Sequence, residues 1–163
     1  MPLSMPVNAD GYITVQADTA HIPYGKRLSD YSGCGWIAAF NFMKAMGQSP
    51  NAEALSQQLG RGWFSGRLGT GPLRLRRSLQ AQGFRFKTAC TFRGASALAK
   101  NARAGILLYV HSQGLHYVAF LRQDADRQTY LNVGPGCETF TATLDIFRRT
   151  YAKTPFCYIL VPA

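Results

Sequence analysis

Three residues of this chain have the types and positions from which a thiol-dependent active site can be built. Cys34 precedes a segment whose apolar residues recur at spacings of three and four, so it stands at the start of a predicted helix. Unpaired amides and the positive end of the helix dipole at such a position lower the pKa of a thiol. His116 opens a predicted strand and Asn132 ends the next one. Antiparallel pairing would bring these two side chains together, so that His116 accepts the thiol proton and Asn132 orients its ring.

Each of the three residues also has a structural interpretation. Free cysteine is among the most buried residue types, so Cys34 taken alone would be assigned to the core. His116 lies between two large side chains and could be a hydrogen-bonded core histidine. Asn132 precedes a Val-Gly-Pro-Gly sequence and could start a turn. The presence of all three together favours the catalytic interpretation.

The other cysteines lack a neighbouring base, and we interpret Cys90, Cys137 and Cys157 as structural. No CxxC pair occurs, and His111 and His116 have no cysteine near them at zinc-site spacing. We therefore expect neither a metal site nor a cofactor. Because no secretory signal accompanies the four cysteines, reduced thiols are expected rather than disulfides.

The elements that must position these residues are helical in the first part of the chain and strand-rich in the last third. Helices are predicted at residues 34–46, at 50–59 with Ser49 as N-cap, at 72–79, at 95–104 and at 141–151. Strands are predicted at residues 12–15, 84–86, 106–110, 117–121, 129–133 and 156–161. Helices followed by an antiparallel sheet indicate an α+β fold.

Length and composition restrict the class of protein. The chain has 163 residues, of which 47% are hydrophobic and 16% charged, so we expect a single domain over residues 1–163, with residues 1–30 as an N-terminal strand and loop extension. No apolar stretch approaches the roughly 20 residues that span a bilayer. The first residues lack the basic and apolar regions of a secretory signal, which predicts a cytoplasmic protein. A specialised export route would leave no such signal.

The formal net charge is +10, with arginines gathered in residues 61–77 and at Arg148 and Arg149. Such a charge favours acidic partners or polyanions. However, no block of five like charges occurs, and aromatic residues do not alternate with the basic ones as they do on a base-stacking surface. A solvated basic face is therefore favoured over nucleic-acid binding.

The run SGCGWIAAFNFMKAMG, followed downstream by GLHYVAFLRQ and TYLNVGPG, resembles the papain-like cysteine peptidases. The similarity is nearest to the small bacterial branch that processes bacteriocin leaders after a double glycine, and it extends over most of the chain. It implies a papain-like α+β fold in which Cys34 is the nucleophile, His116 the general base and acid, and Asn132 the orienting residue. The implied activity is hydrolysis of an amide bond in a peptide or protein through a thioester, without a cofactor.

One feature departs from the pattern of that family. Papain-like peptidases usually carry a glutamine several residues before the nucleophile as an oxyanion donor, but residues 28–30 are Leu-Ser-Asp. The Cys34 backbone amide supplies one donor, and Ser29 or Asn41 are candidates for another. Loss of one such donor costs about 10²- to 10³-fold in rate. An inactive peptide-binding domain and a thiol acyltransferase are therefore alternatives.

The first turn of the predicted helix adds Gly35 and Trp36 to the residues that could contact substrate or an oxyanion. Trp36 fits a substrate cleft and a core position equally well. Asn41 lies two helical turns beyond Cys34, where a buried contact within the helix packing is favoured over a role as donor.

Overall fold

A six-stranded antiparallel sheet forms the centre of the computed structural model, which describes residues 5–61, 69–134 and 137–163. Its strands are β3 (Phe86–Thr91), β4 (Ala104–His111), β5 (Gly114–Arg122), β6 (Gln128–Gly134), β7 (Cys137–Ala142) and β8 (Phe156–Pro162). They lie in the order β3-β8-β4-β5-β6-β7. A separate hairpin of β1 (Pro23–Tyr24) and β2 (Arg27–Leu28) precedes the helices.

Within the described residues, the helices are α1 (Ser29–Ser32), α2 (Cys34–Ala45), α3 (Ala52–Leu59), α4 (Pro72–Ala81), α5 (Phe92–Asn101) and α6 (Leu144–Tyr151). A short 3-10 helix covers Gln16–Thr19. No helix of the described part of the chain is long and apolar enough to cross a membrane.

Alternate residues of the central strands supply two separate cores. Ile106 and Leu108 of β4 pack in the cluster that contains α2, whereas Leu107 and Tyr109 pack in the cluster formed with α5 and α6. This alternation follows from the two-residue period of a strand that is covered on both sides. Every residue of α2 except Lys44 is buried, so this helix is held as a rigid element against the sheet.

The α+β architecture predicted from the sequence is confirmed, with helices packed against an antiparallel sheet. The helix beginning at Cys34 is confirmed, and Gly47 with a φ of 83° follows its end, a conformation that glycine adopts without strain. The helix predicted from residue 72 is confirmed as α4.

Several predicted boundaries were wrong. Residues 12–15 form no strand. Asn51 rather than Ser49 caps α3, because its side chain accepts a hydrogen bond from the amide of Ala54 at 2.8 Å. The helix predicted at residues 95–104 begins earlier, at Phe92, and Ala104 already belongs to β4.

The last third also contains one strand that the pattern did not predict. The helix predicted at residues 141–151 begins at Leu144, capped by Thr143, and β7 occupies the preceding residues. Residues of β7 alternate poorly between apolar and polar types because half of them are exposed at the edge of the sheet.

Part of the basic cluster at residues 61–77 falls outside the described residues, which omit 62–68. In the described part, Arg74 and Arg77 are exposed on α4. On α6, Arg149 pairs with Asp145 at 2.7 Å, and Arg148 lies over the ring of Phe92. In the described residues, these arginines therefore lie on two different helices, α4 and α6.

Candidate active site

Cys34 is the first residue of α2, immediately after a tight junction between two helices. The Gly33 amide donates to the Ser29 carbonyl at 2.8 Å and closes the short helix α1. A Cβ atom at Gly33 would lie 2.7 Å from the indole nitrogen of Trp36, so the junction requires glycine. This packing leaves the Cys34 side chain only 8% exposed, on the side of α2 that faces β5.

Burial raises the pKa of the Cys34 thiol above its usual value. Hydrogen bonds from the backbone of Tyr117, Gly35 and Cys34 itself act in the opposite direction, but burial outweighs them. The amides at the start of the helix thus act in the expected direction, but the expected net lowering of the thiol pKa is wrong because burial is the larger effect. The bond from Tyr117 also shows that the thiol lies against β5, at the residue that follows His116 in the strand.

His116 is 8% exposed and has a defined hydrogen-bond partner. Its Nε2 lies 2.7 Å from the backbone carbonyl oxygen of Asn132. Because a carbonyl can only accept, Nε2 carries the proton, and in the neutral ring Nδ1 is left with a free lone pair. The ring is held edge-on against Tyr109 and His111, with centroids 5.9 and 5.3 Å away.

Burial lowers the pKa of His116, although the hydrogen bond to Asn132 raises it in part. The pKa of the neighbouring His111 is also lowered, by its partial burial and then by the proximity of His116. Burial thus favours the uncharged forms of both Cys34 and His116 over a thiolate–imidazolium pair.

Asn132 contacts His116 through its backbone and not through its side chain. Its φ of 60° is the one left-handed value at a non-glycine residue among the described residues. The side-chain Oδ1 accepts from the Gln16 backbone amide at 3.0 Å, and Nδ2 donates to Gln16 Oε1 at 3.3 Å. The structure therefore brings His116 and Asn132 together, as expected from antiparallel pairing, but with the carbonyl as the contacting group.

Ser29 and Trp36 form a buried chain of hydrogen bonds at the start of α2. The Trp36 indole N–H donates to Ser29 Oγ at 2.9 Å, and this hydroxyl donates to the Ile22 carbonyl at 2.7 Å. Since its single proton is used in that bond, the Ser29 hydroxyl has none to offer an oxyanion. Trp36 is fully buried, which corresponds to the core interpretation of this residue.

Asn41 is fully buried and pairs with the backbone of Ile13. Its Oδ1 accepts from the Ile13 amide at 2.9 Å, and its Nδ2 donates to the Ile13 carbonyl at 2.8 Å. The side chain thus gives Ile13 the donor and the acceptor that a neighbouring strand would provide. This arrangement corresponds to the interpretation of Asn41 as a buried contact.

Gly35 lies against residues that the sequence pattern did not single out. A Cβ atom at Gly35 would approach the Thr70 side chain to 2.8 Å. The Thr70 hydroxyl is hydrogen-bonded to the Tyr24 hydroxyl, and the Thr70 carbonyl accepts from the Tyr117 hydroxyl at 2.9 Å. Burial raises the pKa of Tyr24 to about 12, so these hydroxyls are neutral and act only as hydrogen-bonding groups.

Gln16 is a further site residue that sequence reasoning missed. It precedes Cys34 by far more than the spacing expected for a family glutamine. Its Nε2 donates to the carbonyls of Ser29 and Asp30, at 3.1 and 3.0 Å. Since nothing in the local pattern links Gln16 to Cys34, only the fold could have revealed it.

Candidate metal ligands do not assemble near this site. Across residues 5–61, 69–134 and 137–163, no three His, Cys, Asp or Glu side chains converge into a group that could hold a metal ion. The chemistry available from the described side chains is therefore that of a thiol, an imidazole and backbone amides.

Comparison with solved structures identifies the architecture. The crystal structure of the peptidase domain of Streptococcus ComA, a bi-functional ABC transporter involved in quorum sensing, superposes with a TM-score of 0.59. The match covers 80% of this chain and 91% of that domain, at 14% sequence identity. The chain has the papain-like peptidase fold. The fold resemblance inferred from the sequence motifs is thereby confirmed.

No protein-family model matches the chain, and no curated protein matches it. At 14% identity the papain-like likeness concerns the course of the backbone and not the activity. Assignment of a reaction therefore depends on the residues of this site.

Proposed function

We propose that this protein is a cysteine peptidase in which Cys34 is the nucleophile, His116 the general base and acid, and the Asn132 carbonyl the group that orients the imidazole. The observation that carries the proposal is the 2.7 Å bond from His116 Nε2 to that carbonyl. It leaves Nδ1 unprotonated on a strand whose next residue, Tyr117, hydrogen-bonds the Cys34 thiol. A positioned base beside a buried thiol is the arrangement that nucleophilic catalysis needs.

In the proposed reaction, His116 Nδ1 takes the thiol proton as Cys34 Sγ attacks the carbonyl carbon of the scissile amide. The tetrahedral oxyanion collapses when the carbon–nitrogen bond breaks, and His116 returns the proton to the departing amine. Water then attacks the thioester, gives a proton to His116 and releases the acid, and the thiol regains its proton. The first-turn amides of α2 supply hydrogen-bond donors at the reacting centre.

The substrate class proposed is a peptide or protein. A peptidase domain occurs on the same fold in the ComA transporter, and this supports amide cleavage over other thiol chemistries. The excess of basic residues is compatible with an acidic substrate segment.

A second candidate function is a peptide-binding domain without catalysis. The burial of Cys34 and its raised pKa favour this alternative, because little thiolate is present at neutral pH. The two candidates differ in whether the thiol depends on His116, and this dependence can be measured directly.

The test is cysteine alkylation by iodoacetamide, followed residue by residue with mass spectrometry. All four thiols are free, so the exposed Cys90 and the buried Cys157 serve as internal references. The raised thiol pKa predicts that Cys34 labelling increases with pH towards and above 9.0, the ordinary value for a thiol. A peptidase requires Cys34 to label much faster than Cys157 and to lose that advantage in His116→Ala.

The same proteins are then offered a peptide library, and new chain ends are identified. Cys34→Ser should abolish cleavage and Cys157→Ser should retain it, since both remove a buried thiol but only one lies in the site. Because neutral His116 is the base and its pKa lies below 6.5, cleavage should persist at neutral pH and fall on acidification below that value. His116-dependent labelling without cleavage of any peptide would favour the binding domain.

A further inference from the structure

Residues 13–16, which we name the N-terminal strap, connect the two halves of the site. At one end, Ile13 is paired through its backbone with the side chain of Asn41 in α2. At the other end, Gln16 is paired with the side chain of Asn132 in β6. The strap therefore joins the helix that begins at Cys34 to the strand that carries the partner of His116.

Gln16 uses every hydrogen-bonding group that it has near the site. Its backbone amide and Oε1 hold both polar atoms of the Asn132 side chain. Both protons of its Nε2 are donated to the carbonyls of Ser29 and Asp30 in α1, just before Cys34. With both protons occupied, Nε2 is not a donor to an oxyanion, and its effect must be exerted through the residues that it holds.

The backbone conformation of Asn132 explains why its side chain must be fixed by hydrogen bonds. A φ of 60° is unfavourable for residues with a side chain, although asparagine tolerates it better than most. In this conformation the carbonyl points to His116 Nε2, while the side chain is free to bond with the strap. Fixing the side chain by two hydrogen bonds therefore also fixes the direction of the carbonyl.

We propose that Gln16 is a positioning residue, which locks the Asn132 backbone so that its carbonyl keeps His116 in the Nε2-protonated form, and which ties this unit to the segment preceding Cys34. The inference rests on the proposed function, because it assigns Gln16 a role in keeping His116 Nδ1 available as a base. Gln16 itself does not touch the reacting atoms.

The experiment compares Gln16→Met, which keeps the length of the side chain and the backbone bond to Asn132 Oδ1 but removes the Oε1 and Nε2 bonds, with Gln80→Met on the exposed surface of α4. The His116 titration is followed by NMR of the imidazole ring, and Cys34 labelling is measured in parallel. Loss of the bond to the carbonyl should lower the midpoint of the His116 titration, since that bond favours the protonated ring. Labelling of Cys34 should slow about three- to tenfold, as for one lost hydrogen bond, while Gln80→Met behaves as the wild type.

A wild-type titration of His116 together with wild-type labelling in folded Gln16→Met would overturn the inference. Thermal unfolding shows whether each variant is folded. If Gln16→Met is not, Gln16→Ala takes its place, because it removes the same side-chain bonds to Asn132 and to the Ser29 and Asp30 carbonyls, and the same wild-type result in that variant would contradict the inference. Failure of the proposed function is recognised separately, in chains that carry the natural Gln16. It would appear as a Cys34 labelling rate that is the same in His116→Ala as in the wild type.

Discussion

The contact between His116 and Asn132 determines which ring nitrogen can act as the base. A side-chain carbonyl and a backbone carbonyl are chemically equivalent acceptors, but they place different demands on the residue that carries them. When the backbone accepts, the identity of residue 132 matters through the conformation that it allows and not through its amide group. The left-handed φ of Asn132 is therefore central to the geometry of the site.

Substitutions at Asn132 should separate these two roles. Asn132→Gly and Asn132→Ala both remove the bonds to Gln16 and both retain the carbonyl, but only glycine adopts a φ of 60° without strain. We expect Cys34 alkylation to decrease in the order wild type, Gly, Ala, with the two variants about three- to tenfold apart for a strain of about 1 kcal/mol. Equal and complete loss in both variants would instead indicate that the amide group orients His116.

At the scale of elements, α2 and the N-terminal strap together hold Cys34 in place. Buried on all sides except at Lys44, α2 cannot shift without disturbing the core, and the strap is bound to it through Asn41. A buried asparagine whose amide pairs with two backbone groups contributes to the stability of the fold through those two hydrogen bonds. The backbone groups of Ile13 would be left unpaired in a buried place without them.

Asn41→Leu should consequently destabilise the protein while leaving Cys34 in place. The variant leaves the Ile13 amide and carbonyl without hydrogen-bond partners, and we expect the free energy of unfolding to fall by about 2 to 5 kcal/mol. Asn101→Leu, at the exposed end of α5, is the matched control and should change it by no more than about 0.5 kcal/mol. Urea unfolding measures both, and an Asn41 variant as stable as the control would show that the strap is not held by this pair.

These elements also show what the sequence could and could not predict. Apolar spacing was sufficient to find α2 and the central strands, because their burial is dictated by the residues themselves. The same reasoning predicted that His116 and Asn132 come together, and they do so through the Asn132 carbonyl. It missed Gln16, since hydrogen bonds that join an irregular segment to a distant strand leave no periodicity. It also misjudged the pKa of Cys34, because the local pattern does not show how deeply the folded protein buries the thiol.

At the level of the whole chain, the sheet separates two cores that should contribute to different properties. The cluster on one face contains Cys34 and α2, while the other is formed by α5, α6 and aromatic side chains centred on Phe147, which stacks on Tyr130 at 4.1 Å. The central strands belong to both. Stability is therefore drawn from both faces, whereas Cys34 lies in the first cluster and the His116 ring contacts Tyr109 of the second.

A cavity made in the second core should lower stability without changing the site. Leu144 is buried at the start of α6, and Leu144→Ala should reduce the free energy of unfolding by about 2 to 5 kcal/mol. Cys34 labelling in the folded protein should stay at the wild-type rate, measured at a urea concentration well below the unfolding transition. A large fall in labelling would mean that the two faces are mechanically coupled through the sheet.

The bond between Gln16 and Asn132 joins residues 116 positions apart, and this separation affects how the protein is made. During translation the strap and Cys34 leave the ribosome before β5 and β6 have been synthesised. Contacts between such distant segments form late, because the entropy of closing a long loop opposes them until the intervening chain is ordered. The growing chain thus carries its thiol for some time without its histidine, and the two meet only when the sheet has been assembled.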